Sequence, residues 1–153
     1  MTVVHVFEQS QYVPRPREEL FRFFLDPKNL GRITPRQLHF EILASTTQEV
    51  TEGTLLDYRL RLFGVPFRWR TLIESFESGV SFVDTQLKGP YRLWRHTHRF
   101  TDEGSGTRMD DRVEYELPLG PLGSLAHVLF VRRQIGEIFG FRRGFIAEHF
   151  GPL

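Results

Sequence analysis

The chain has 153 residues, 40% of them apolar and 25% charged, the balance of an ordinary globular protein. Its 20 basic and 19 acidic residues leave a net charge of +1, too little for a general nucleic-acid binder. The absence of cysteine excludes a disulfide scaffold, a thiol nucleophile and a cysteine metal site.

Val3 to Val13 reads as a strand, with Val4, Val6 and Tyr12 on one face and Phe7, Gln9, Gln11 and Val13 on the other. Pro14 and Pro16 end it. Arg17 to Leu25 turns helical, with Leu20, Phe21, Phe24 and Leu25 on one stripe and Glu18 and Glu19 in the first turn, where the helix dipole favours acids. Asp26-Pro27 opens a second short helical turn that stops before Pro35. From Leu38 to Leu117 the period becomes two. Strands are expected at Leu38–Thr46, Thr54–Phe63, Phe67–Phe76, Ser81–Lys88, Arg92–Thr101 and Thr107–Leu117, separated by Glu52-Gly53, Gly64, Ser78-Gly79, Gly89-Pro90 and Gly104-Ser105-Gly106. Short strands on short loops make an antiparallel meander. After Gly120-Pro121, Leu122 to Phe150 reads as one helix of roughly 40 Å. Its apolar stripe runs through Leu125, Leu129, Ile135, Ile138, Phe139, Phe145 and Ile146. Gly136, Gly140 and Gly144, four apart, predict close packing on a sheet or another chain, or a smooth wall beside a ligand.

The order is α+β: one strand, two short helices, six strands and a long C-terminal helix, in one domain over 1–153. Only Leu122–Phe150 is long enough to cover one face of a seven-stranded antiparallel sheet, and a sheet curved around it leaves a concave space between them. No apolar run approaches the ~20 residues of a membrane span. Met1 to Ser10 lacks a basic-then-apolar leader, so a cytoplasmic location is expected.

Strand parity places side chains on faces. Trp94, His96, His98 and Phe100 form the bulkier face of their strand and point inward. On the next strand Met109, Asp111, Val113, Tyr115 and Leu117 point in, against the charged Arg108, Asp110, Arg112, Glu114 and Glu116. Phe82, Asp84 and Gln86 point in on the strand before. A turn over Asp102–Gly106 pairs Phe100 with Thr107 and sets His96 opposite Asp111, with Asp84 near Trp94 or His96. One row across the sheet then reads Asp84, His96, Asp111, with opposed Cβ atoms about 4.5–5.5 Å apart. On other strands Leu56, Tyr58, Leu60 and Leu62, and Phe67, Trp69, Thr71 and Ile73, share inward faces. Phe139, Arg142 and Phe145 of the long helix approach the same space, Arg142 either neutralising an acidic ligand head or standing in solvent.

The element order, with Phe82-Val83-Asp84-Thr85-Gln86, Gly89-Pro90-Tyr91, Trp94, His96-Thr97-His98, Phe100, Gly106-Thr107-Arg108-Met109-Asp110-Asp111, Val113, Tyr115 and Pro118-Leu119-Gly120, resembles the helix-grip fold of the SRPBCC superfamily. That superfamily includes START-related lipid-transfer domains, birch-pollen-allergen-like proteins and polyketide cyclases. The likeness covers nearly the whole chain and is greatest to a bacterial ligand-binding branch. It implies an apolar ligand between sheet and helix but no particular reaction.

Four readings of the polar row stay open: a satisfied buried network, a polar anchor for an apolar ligand, acid–base catalysis by His96 or His98 with Asp111, and a two-His, one-carboxylate metal site. Three functions follow. The first is a hydrophobic or aromatic small-molecule binder using Trp69, Phe82, Asp84, Gln86, Trp94, His96, His98, Met109, Asp111, Tyr115, Phe139 and Arg142. The second is a cyclase- or dehydratase-type enzyme, and the third an interaction protein whose cavity its own side chains fill, which fifteen Phe would allow. Neither a cofactor nor a resident metal is expected, since a phosphate loop, a nucleophile elbow and a His-Glu-x-x-His site are all missing. The expected partner is the small molecule alone, with monomer and homodimer both open.

Overall fold

The computed structural model describes residues 3–151. Strand β1 (His5–Val13) leads to helix α1 (Arg17–Leu25), two 3₁₀ turns (Pro27–Leu30 and Arg36–Leu38), and strands β2 (Glu41–Ser45), β3 (Leu55–Leu62), β4 (Val65–Glu77), β5 (Ser81–Lys88), β6 (Leu93–Glu103) and β7 (Gly106–Glu116). A helical run follows: α2 (Gly120–Ala126), a π-helical turn (His127–Val131) and α3 (Arg132–His149). The strands form one antiparallel sheet in the order β1-β7-β6-β5-β4-β3-β2. This is the expected helix-grip architecture. Bulges at Ile42/Ala44, Arg70/Thr71 and Ile73/Ser75 bend the strands that carry them.

The hairpins follow from local chemistry. Phe63 and Gly64 both take positive φ, at 54° and 78°, the condition for a two-residue type I′ turn, so β3 and β4 pair out to Leu62↔Val65. At β6–β7 the turn is likewise two residues, with Gly104 at φ 59° and Glu103 paired to Gly106. This corrects the expected register. Phe100 faces Met109, His96 faces Val113 and His98 faces Asp111. A slip of two residues keeps every side chain on its face, whereas a slip of one would have reversed them. Leu38 belongs to a 3₁₀ turn rather than to β2, since His39 follows it at φ 48°.

Two apolar clusters fill the space between sheet and helices. One joins Leu20, Phe21, Phe23 and Phe24 of α1 to Val13, Phe82, Phe100, Met109 and Ile146. The other joins Leu38, Leu60, Trp69, Tyr91, Val113 and Tyr115 to Val131, Ile135 and Phe139.

The helical run corrects two further expectations. The π turn is wider than an α turn and keeps residues four apart in line, so Gly123, His127, Val131 and Ile135 all face in. Leu125 and Leu129 therefore turn outward, both 56% exposed. Gly123 is required there, because a Cβ would collide with the Pro118 carbonyl. Gly136, Gly140 and Gly144 are exposed, and a Cβ on any of them would meet open space. Within the chain they neither pack on the sheet nor wall the cavity.

Candidate functional site

Strands β5, β6 and β7 bring four polar side chains together on the concave face. Across the rungs of the sheet, Asp84 stands opposite His96 and His98 opposite Asp111. The short hydrogen bonds run along the diagonals instead. His96 Nε2 lies 2.7 Å from Asp111 Oδ1, and His98 Nε2 lies 2.6 Å from Asp84 Oδ2. The rung distances are longer, 3.7 Å from His96 Nδ1 to Asp84 and 3.6 Å from His98 Nδ1 to Asp111. A carboxylate accepts only, so each Nε2 carries the proton and each Nδ1 holds the lone pair in the neutral ring. The two imidazoles stack with centroids 3.6 Å apart. Phe82 covers His98 at 4.1 Å, and Phe139 meets His96 edge-on. His96, His98 and Asp111 are buried, and Asp84 is partly so.

This geometry sets the charges. Burial pushes His98 down to about 4 and the neighbouring His96 adds to the fall, outweighing the two carboxylates; His98 is neutral at neutral pH. Burial alone would raise Asp111. The His96 hydrogen bond and the Arg142 guanidinium together reverse it and hold Asp111 at about 2. Asp84 is likewise held down against its own desolvation, chiefly by the His98 bond. The cluster therefore sets two carboxylates held in their charged form against the Arg142 guanidinium.

A cavity lies in front of this cluster. Its volume is about 130 Å³, room for about four waters at ~30 Å³ each and below the roughly 300–1,000 Å³ of drug-sized ligand pockets, so it suits a compact ligand. Of the residues expected around a ligand, Trp69, Phe82, Asp84, Trp94, His96, His98, Phe139 and Arg142 line it. Arg142 is buried rather than solvated; its Cζ sits 4.9 Å from the Phe139 ring centre, and its Nη1 is 3.9 Å from Asp111. Four expected residues lie off the wall. Asp111 stands behind His96. Met109 packs in the phenylalanine cluster. The Tyr115 hydroxyl is 2.6 Å from His127 Nε2. Gln86 clamps the β5–β6 connection, donating to the Tyr91 carbonyl at 2.7 Å and accepting from its amide at 3.2 Å.

Parity also points Leu56, Tyr58, Leu60, Leu62, Thr71 and Ile73 inward, and all line the cavity. Phe24 and Ile138, on the apolar stripes of their helices, line it too, and the rest of the wall is not legible in the sequence: Pro27, Leu30, Thr34, Leu38, Phe40, Val50 and Tyr91. Most come from turns and loops, where no period signals a face. Equally hidden is a second aromatic–imidazole group, His5 stacked on His127 at 3.5 Å beside Tyr115. Burial and the neighbouring His5 lower His127. The group braces β1 against the π turn.

Three ligand atoms, one each from Asp84, His96 and His98, lie within 4.8 Å of one another. A metal bound there would have to break the His98–Asp84 bond and face the Arg142 cation. The arrangement can also orient a polar ligand atom or pass a proton between imidazole and ligand.

The family model for polyketide cyclase / dehydrase and lipid transport matches residues 13–138, and the chain belongs to that family, within the SRPBCC superfamily. Among solved structures it is similar to TTHA0849 from Thermus thermophilus, with 20% identity, a TM-score of 0.73 and coverage of 95% of this chain and 99% of that one. A START superfamily protein from Mycobacterium smegmatis shares 12% identity at a TM-score of 0.71, over 94% and 98% of the two chains. The major latex-like protein 151 of Panax ginseng shares 11% at 0.67, over 97% and 99%. At these identities the likeness shows the fold. None of the curated proteins matches the chain in sequence.

Proposed function

We propose that the chain binds one hydrophobic, aromatic-faced small molecule in the cavity between sheet and helical run. The observation that carries this is the wall itself: Tyr58, Trp69, Tyr91 and Trp94 stand around an interior space that Asp84, His96 and His98 close on one side. A plain core would be filled to crystal-like density. Binding would draw on about 25 cal/mol per Å² of apolar area removed from water, less ordering costs. Trp69 Nε1, Arg142 Nε and Arg142 Nη1 are buried donors without a partner, so the ligand presents an acceptor oxygen to this wall. Both tryptophans of the chain line the cavity, which makes intrinsic fluorescence a direct probe. Titration with benzoate, a compact aromatic ring with acceptor oxygens, should change that emission saturably, and native mass spectrometry should show one bound molecule. Trp69→Ala should weaken binding about tenfold or more. A flat titration together with a bare mass would overturn the proposal.

The two short His–Asp bonds at the wall favour a second reading, an enzyme in which His96 or His98 moves a proton. His96→Gln separates the two: turnover would vanish in an enzyme, whereas a carrier would lose only part of its affinity.

A further inference from the structure

We infer that the outer face of Leu119–Arg133, with the tip of the β3–β4 hairpin, docks on an anionic lipid surface. The inference is independent of what the cavity holds. Leu119, Leu122, Leu125, Val128, Leu129 and Phe130 are 74%, 68%, 56%, 64%, 56% and 57% exposed. Phe63 and Val65 extend the patch at 59% and 52%, with Phe63 edge-on to Phe130 at 6.1 Å. So many neighbouring large apolar side chains in water mark a contact surface rather than chance exposure. The π turn is what turns Leu125 and Leu129 outward, and Leu119 is held at φ 73°, a costly conformation for leucine.

Charge decides the occupant. From Leu117 to Gly136 there is no acidic residue, while Arg132 and Arg133 follow the apolar stretch and are exposed, as is Arg61 below them. The nearest carboxylate along the helix, Glu137, is tied to Arg133 at 3.2 Å. In a two-fold dimer the same patch would face itself and would bring these arginines together with no surplus acid to meet them. An apolar face with a basic rim suits an anionic bilayer, into whose headgroup boundary such a face settles. No helix among the described residues is long and apolar enough to cross a membrane, so the chain lies on the surface. The outer groove of Phe63, Leu129 and Phe130 shares Leu38 and Ile138 with the cavity wall.

Flotation of the full chain with vesicles tests this. With phosphatidylcholine containing about a third phosphatidylglycerol the protein should float, and with phosphatidylcholine alone far less. Leu129→Glu or Phe130→Glu should cut flotation about tenfold or more with an unchanged melting curve, and Arg132→Glu, which leaves the apolar face intact, should also weaken it. The inference is overturned by no flotation, by equal flotation on both vesicles, or by variants that float as well as the parent. A dimer in sedimentation that Leu129→Glu dissolves, with no vesicle binding, would assign the face to a second copy and overturn it as well.

Discussion

The two ends of the sheet–helix interface are built from different aromatics. Under α1 the rings are all phenylalanine: Phe21 meets Phe76, Phe82 and Phe100 edge-on at 5.6, 6.0 and 5.1 Å. Toward β3 and β4, Tyr58, Trp69, Tyr91 and Trp94, each with a polar handle, join Phe40 and Phe139 around open space. Phenylalanine can fill a core without needing a partner; tyrosine and tryptophan are placed where one end meets something polar. The His–Asp cluster lies at the border, Phe82 stacked on one side of it and the cavity on the other. One end holds the fold together, and the other is free to hold something else.

Substitutions can break or sharpen that contrast. The largest effect belongs to the filled end. Phe100, 1% exposed, should cost about 4 kcal/mol when changed to Ala, read from urea unfolding. At the border, Asp111→Ala leaves His96 and Arg142 buried without their carboxylate, and should cost about 3 kcal/mol; equal stability would mean the cluster is hydrated rather than buried. Acid should act through the same groups. His98 titrates at about 4 against an ordinary 6.5, so between those values the unfolded chain takes up a proton that the native chain refuses. Stability present above about pH 6.5 is then lost as pH falls toward 4, and Asp111, held at about 2 against 3.8, extends the loss below that. The urea midpoint should fall along this course, and His98→Asn should flatten its upper part.

At the hollow end the balance reverses. Trp94 lines the cavity and is partly exposed; Trp94→Ala should cost only about 1–2 kcal/mol yet weaken benzoate binding about tenfold. If it costs as much as Phe100→Ala, the two ends are not different in kind. The smallest change is a gain. A Cβ at Gly140 meets open space, so Gly140→Ala should raise stability by up to about 1 kcal/mol and leave both ends untouched.

Faces are legible in the sequence where a period runs through them. The charged alternation of Arg108, Asp110, Arg112 and Glu114 fixes β7, and with it the inward set from Met109 to Tyr115. Register is not legible, because it depends on whether Gly104-Ser105 turns the chain alone or with its neighbours, and parity is blind to a two-residue slip. His96 still meets Asp111, but along a diagonal rather than a rung. Parity likewise says which way Gln86 points but not that its amide closes a loop. The π turn escapes for a similar reason: a stripe drawn at 3.6 residues per turn cannot anticipate one wide turn, and it puts Leu125 and Leu129 inside. Tyr91, Leu38 and Phe40 reach the cavity from turns that carry no period.

The nitrogen resonances of the imidazoles provide the most direct measurement. On titration with benzoate, the ¹⁵N shifts of His96 and His98 should move saturably and in step with tryptophan emission, while those of the exposed His39 stay still. Saturable binding that leaves His96 and His98 unmoved would contradict the account, because the ligand would then sit away from the polar wall that the two imidazoles form.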